Sequence, residues 1–307
     1  MRAQKNRPAP VPTRAMIVDF IRHDPAVCMM PGLFRSFKSG VERPKFNAVH
    51  DFGDGRRLEF SGPDQLGADD LRVLQGLVSM ALKSHKIIPP ETNDPAEQGA
   101  RKQLELEHEA HYMDSVLVKG SFADLAREIG QVDLDDTQPL RKCVERMWKV
   151  SVIAEVKTAQ GRSRRGFRLI AGYGSDEKGQ AGQLRVGMNP QIAEIMLGRS
   201  PKHTRIDMSE VRALKSDSAR LIHQRLCGWV DPGKHSKATI DTICGYAWAE
   251  EDKGAMRMRR TRARKALQEL IALGWQAEEY ERGKYKITRP AAIRPLRLCK
   301  EGGLDAA

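Results

Sequence analysis

Hydrophobic positions along the 307-residue chain switch between an alternating and a helical period, and the switches come twice in the same order. In FNAVHDFGDGRRLEF, residues 46–60, two β-prone runs flank Gly53-Asp54-Gly55, the pattern of a hairpin. From Gly67 to Ser84, Leu71, Leu74, Leu77, Val78 and Leu82 fall near helical spacing, behind two aspartates that suit a helix N-terminus. Residues 86–111 begin polar and Pro-rich and are expected to form a loop or insertion. In SFADLAREIG, Ser121 can cap a helix whose Phe122, Leu125, Ala126 and Ile129 form a stripe that Gly130 ends. Leu140, Cys143, Val144 and Met147 repeat that spacing in a second helix. SVIAEV and FRLIAGY then read as strands joined by a long basic hairpin loop, KTAQGRSRRG.

The order returns in the second half. Arg212 to Val230 is expected as one helix, with Ala219, Ile222, Leu226, Trp229 and Val230 on its core face and Asp231-Pro232-Gly233 as its stop. ATIDTICGYAW supplies a short helix capped by Thr239, GAMRMRRTRARKALQELIALGW a longer one, and WQAEEYERGKYKITRP two strands about an Arg282-Gly283 turn. The predicted class is α+β: two tandem winged helix-turn-helix domains, mainly helical, with β-hairpin wings. The expected organisation is a basic flexible arm over 1–40, an N-terminal unit over 41–188, a C-terminal unit over 189–290 joined at Asn189-Pro190, and a disordered tail over 291–307.

Charge sharpens this picture. Lys plus Arg number 52 against 40 Asp plus Glu, giving +12 and a pI near 9.6, which points to a polyanionic partner. The surplus clusters in the helix after Gly254, where Arg257, Arg259, Arg260, Arg262, Arg264 and Lys265 occur with no acid among them. Projected at 100° per residue with Leu267 as the buried centre, Arg257, Thr261, Arg262 and Lys265 face outward. Arg259 and Arg264 fall at the flanks, and Arg260 projects inward but, near the helix start, can escape past the core edge. A cationic N-terminal half on the second helix of such a unit suits a DNA major groove, with Arg282 and Lys284 of the following turn as clamps on flanking phosphates. The first unit differs: Asp133 to Lys149 is electrically neutral, and its positive charge sits in the hairpin, on Arg162, Arg164 and Arg165. The second unit is therefore the expected sequence reader, and the first a backbone contact or a protein-binding module.

Other chemistries find little support. The five cysteines are scattered without a C-x-x-C pair; Cys143, Cys227 and Cys244 fall on apolar stripes, which fits a reducing, cytoplasmic setting. No run of about 18 apolar residues spans a membrane. DPGKHSK and GYGSDEKG lack phosphate-loop spacing, and EHEAH misses the zinc-helix pattern by one residue, so no catalytic residue, cofactor or metal is expected.

Segments including RHDPAVCMMPGLFRSFKSG, VKGSFADLAREIG, VRALKSDSARLIHQRLCGWVDPGK, IDTICGYAW, RARKALQELIALGW and GKYKITRP resemble, in order, the iteron-binding replication initiator protein C of IncQ-type plasmids. The resemblance covers most of residues 22–290 and implies a non-catalytic initiator. Such a protein would bind directly repeated double-stranded origin DNA, open adjacent AT-rich sequence, and pass it to a plasmid helicase and primase. Similarity to other iteron initiators implies exchange between dimers and origin-binding monomers. A transcriptional repressor of like fold and a DNA-nicking enzyme are the alternative readings.

Overall fold

The computed structural model describes residues 19–38, 40–53, 55–83, 85–102, 112, 115–131, 136–176, 183–188, 190, 193, 203–248 and 255–292. In chain order the elements open with β1 (Phe20–His23), α1 (Pro25–Met29) and β2 (Phe34–Arg35). The hairpin β3 (Phe46–Asp51) and β4 (Arg56–Gly62), the short β5 (Leu66–Gly67), α2 (Ala68–Lys83), β6 (His85–Ile88) and α3 (Pro95–Lys102) come next. They are followed by β7 (Ser115–Ser121), α4 (Phe122–Glu128), α5 (Gln138–Trp148), β8 (Ser151–Thr158), β9 (Gly161–Arg168), β10 (Ile170–Asp176) and β11 (Gln183–Met188). The second half runs β12 (Thr204–Asp207), α6 (Met208–Ala213), α7 (Asp217–Trp229), β13 (His235–Thr239), α8 (Ile240–Gly245), α9 (Met256–Ile271), β14 (Gln276–Glu281) and β15 (Lys284–Thr288).

Two stretches share one topology. In α2-β7-α4-α5-β10-β11 and in α7-β13-α8-α9-β14-β15, the last strand sits between its hairpin partner and the strand that precedes the helix pair. The chain is thus mixed α/β with a repeated unit, but it is richer in strands than expected, with five sheets among the described residues.

α2 is the central pillar. Leu71, Leu74, Leu77 and Val78 are buried to 1% exposure or less, and the helix packs on α4, α5, α7 and β1. Gly76 lets α4 approach: a Cβ there would lie 2.4 Å from Ile129 Cγ2. Asp70, fully buried at the start of α2, accepts from the Gly67 N–H and sits between Arg43 (2.6 Å) and Arg146 (2.9 Å). The Ser121 cap is present as a reciprocal capping box with Asp124.

Several sequence expectations change. Residues 20–35, assigned to a flexible arm, form β1, α1 and β2: β1 pairs antiparallel with β12, Ile21 and Leu33 are fully buried, and the Ser36 N–H donates to Ala247 O (2.8 Å). The short strand FIRH carried too weak a local signal, and its distant partner supplies the stability. The expected loop at 86–111 contains the end of β6 and α3, and 103–111 lie outside the described residues, as do 1–18, Asn189 and 293–307. The expected helix from Arg212 to Val230 breaks at extended Leu214 and at Ser216, which caps α7; Trp229 is exposed rather than core.

The basic loop of the first hairpin is no loop. β8 and β9 meet in a tight turn at Ala159-Gln160 and join β3 and β4 in one sheet, where Phe60, Val152 and Phe167 stand in one cross-strand row. The strands of the first repeated unit are instead β10 and β11. The two units share an apolar core, and the Gln75 side-chain amide donates to Gln224 Oε1 (3.0 Å) across α2 and α7 in its interior.

Candidate nucleic-acid interface

The C-terminal unit builds its site from a short helix, a longer one and a hairpin. Thr239 caps α8 by accepting from the Thr242 N–H (3.1 Å). α9 then buries Arg259, Ala263, Ala266, Leu267 and Leu270. The centre of that stripe lies near Ala263 and Leu270, roughly 60° from Leu267, because Ala266 also turns inward. The displacement takes Arg259 from a flank into the core, at 9% exposure, and leaves Arg260 exposed past the core edge; Ile271 is exposed as well.

Arg257, Thr261, Arg262 and Lys265 face outward as expected. Among the described residues, Arg257, Arg262, Lys265 and Arg282 make no hydrogen bond or ion pair through their charged groups. Thr261 is exposed, and its hydroxyl donates to the Arg257 carbonyl (3.1 Å).

One flank of α9 and the β14–β15 turn enclose an open groove of about 560 Å³. Arg257, Arg260 and Arg264 line its helix side; Arg282 and Lys284 line its hairpin side, and Gly283 at φ 74° makes the turn between them. Among the described residues its one lining carboxylate is Asp241, from the first turn of α8, which receives Arg260 Nε at 2.6 Å and Nη2 at 2.7 Å. Arg264 Nε donates to Tyr285 Oη (3.2 Å), and that hydroxyl donates to Glu279 (2.8 Å). Glu279 also accepts from the Gly283 N–H (2.6 Å), and Lys284 pairs with Glu281 (2.8 Å). The Arg260 hydrogen bonds hold the Asp241 carboxyl below its ordinary pKa, and the Gly283 N–H does the same for Glu279. Both acids are therefore charged at neutral pH, yet the described residues of the groove lining still carry five cationic side chains against one carboxylate.

In the other unit, Arg162, Arg164 and Arg165 lie along β9 and do not form one patch. Strand alternation places Arg162 and Arg164 on one face, where they meet Glu155 (2.9 Å) and Glu59 (3.7 Å), and Arg165 on the other. The equivalent of α9 is α5, whose Arg141 stacks over the Phe122 ring (4.3 Å) and whose Arg146 closes on Asp69 and Asp70.

Two clusters among the described residues, one of them with the exposed Asp69, carry metal-ligand residue types. Glu210 Oε2 and His223 Nε2 lie 2.6 Å apart, Cys227 Sγ is 3.4 Å from the same nitrogen, and Trp275 Nε1 donates to Glu210 Oε1 (3.1 Å). Asp69, Asp70 and Cys143 are knitted to Arg43 and Arg146. Hydrogen bonds and ion pairs occupy the polar atoms of both.

Sequence reasoning missed Asp241, Glu279 and Tyr285. Their roles arise from contacts across elements, and Asp241 carries no local signal beyond its place in a helix's first turn.

Fold and groove together define a basic mixed α/β protein with a cationic groove in one of its two repeated units. The family model for replication protein C (RepC) matches residues 15–291, and the chain belongs to that family. No curated protein matches it. Among solved structures, domains 2 and 3 of RctB are similar at TM-score 0.55 and 10% identity, over 86% of this chain and 98% of that one, a likeness of fold. Membership of RepC supports a role in initiating replication. No helix among the described residues is long and apolar enough to cross a membrane.

Proposed function

We propose that the chain is a plasmid replication initiator that binds directly repeated origin DNA through the C-terminal groove. The repeated unit reads as a winged helix-turn-helix, with α9 as the helix that enters the major groove and the Arg282–Lys284 turn as the wing. The observation that carries this reading is the convergence of α9 and the hairpin turn on one cationic groove. Arg257, Arg262, Lys265 and Arg282, whose charged groups make no hydrogen bond or ion pair among the described residues, supply phosphate and base contacts. The β8–β9 hairpin adds a weaker backbone contact through Arg162, Arg164 and Arg165. Several copies on phased repeats bend the duplex, and AT-rich steps beside them melt at the lowest cost. Helicase and primase then load on the opened strands, and the protein acts through binding without a catalytic step. Self-association, with exchange between dimers and origin-binding monomers, regulates the supply of active copies.

Footprinting on a supercoiled origin plasmid with a single-strand-sensitive reagent tests the proposal. Protection of tandem direct repeats, opening beside them, and a log K against log salt slope near −6, for about seven neutralised phosphates, are expected. Protection of a single palindrome without opening would point to a repressor, and a new 3′ end or covalent adduct to a nicking enzyme.

A further inference from the structure

We propose that Arg260 reads a guanine in the major groove of the bound duplex and that Asp241 is its positioning residue. The inference rests on the reading that the C-terminal groove seats DNA.

Arg260 and Asp241 are both well exposed, at 44% and 49% of their side chains, yet they form a two-point fork, Nε to Oδ1 and Nη2 to Oδ2. Exposed ion pairs contribute little to stability, so holding the fold together is a weak reason for this one. Its geometric effect is large. A guanidinium has five N–H donors in a fixed plane, and the fork uses one on Nε and one on Nη2. Three remain, including the two parallel donors of the Nη1–Nη2 edge. That edge matches the O6 and N7 acceptors of guanine. The pair lines the groove where the first turns of α8 and α9 meet, beside Thr261 and Arg257.

Asp241 also decides what Arg260 does not contact. A carboxylate this close repels phosphate oxygens, so the backbone is a poor target for this arginine. Arg257, which pairs with no carboxylate among the described residues, is suited to phosphates, and so is Arg282, which acts on Glu279 only through space and not through a hydrogen bond. The groove thus contains charges offered to the backbone and one directed fork with an acid behind it. Arg264 is a third arrangement, held by the neutral Tyr285 hydroxyl with Glu279 at 4.0 Å.

The full chain, incubated with a randomised duplex library and read by sequencing the bound fraction, provides the test. For the natural protein we expect a motif with one position restricted to guanine. Asp241→Asn and Arg260→Lys should each lower that preference about tenfold while leaving the other positions and the melting temperature in place. Replacing that guanine by 7-deazaguanine, which lacks the N7 acceptor, should weaken the natural protein and barely affect Asp241→Asn. An unchanged Asp241→Asn motif, with all sequences bound more tightly, would make Asp241 a general brake on charge and overturn the proposal. A lowered melting temperature with uniform loss at all positions would make the pair a helix staple and do the same. If the natural protein retains no duplex at all, the groove reading itself fails.

Discussion

Helices α5 and α9 hold corresponding places in two units of one topology, and both are basic. In α5 the charges face the protein's own groups: Arg141 lies on Phe122, and Arg146 is bound by the aspartates that open α2. In α9 Arg260 is forked onto Asp241 and Arg264 lies 4.0 Å from Glu279, while Arg257, Arg262 and Lys265 project without a carboxylate among the described residues. Topology therefore does not make a helix a nucleic-acid reader. What separates the two is the Asp69-Asp70 pair, which reaches α5 from a distant stretch of sequence and has no counterpart on the outer arc of α9 among the described residues.

The largest expected effect tests the internal use of charge in the first unit. Removing the buried Asp70 carboxylate by Asp70→Ala leaves Arg43 and Arg146 without their shared partner and should cost about 3–5 kcal/mol in urea unfolding. The DNA affinity of the folded fraction should stay within about twofold, because α9 is untouched. A loss of affinity without a loss of stability would erase the contrast.

The strand that ties the units together adds a contrast in pH. His23, fully buried in β1, has its pKa lowered by burial from 6.5 to about 4. The unfolded chain therefore binds the proton more readily, and the histidine's contribution is intact above pH 6.5 and lost as pH falls through 4. The loss across that window is about 3 kcal/mol, measurable as a falling urea midpoint, and His23→Leu should flatten this limb. The arginines of the groove keep their charge throughout, so acid should loosen the fold before it neutralises the interface.

The smallest effects compare the two surfaces directly. Arg257→Ala should weaken duplex binding by about 1–3 kcal/mol. Arg164→Ala, whose guanidinium already lies 3.7 Å from Glu59, should cost under about 1 kcal/mol, equally for cognate and random DNA. Titrations at one salt concentration measure both, and a larger effect from Arg164 would move the main interface to the β8–β9 sheet.

Locally encoded features were legible in the sequence. The Ser121 cap, the α5 stripe and the Arg282-Gly283 turn each rest on residues a few positions apart, and each stands in the structure. Most outward residues of α9 were also legible, but Arg259 moved from a flank into the core because a single reference residue, Leu267, fixed the rotation wrongly by more than half a residue's turn. Non-local features were not legible. β1 has four residues and pairs with β12; β8 owes its sheet to β4, and Asp241 meets Arg260 across two helices. No spacing rule within a window announces such pairings, since the partner's identity is what stabilises them.

The β1–β12 pairing also sets a timetable for biosynthesis. A ribosome emits Phe20–His23 early, and the segment must wait for Thr204–Asp207 before its backbone finds a mate. Until then Ile21 and an open strand edge stay available to chaperones or to other nascent chains. Maturation of the N-terminal half is in this way deferred until the ribosome has begun the half that carries the cationic groove.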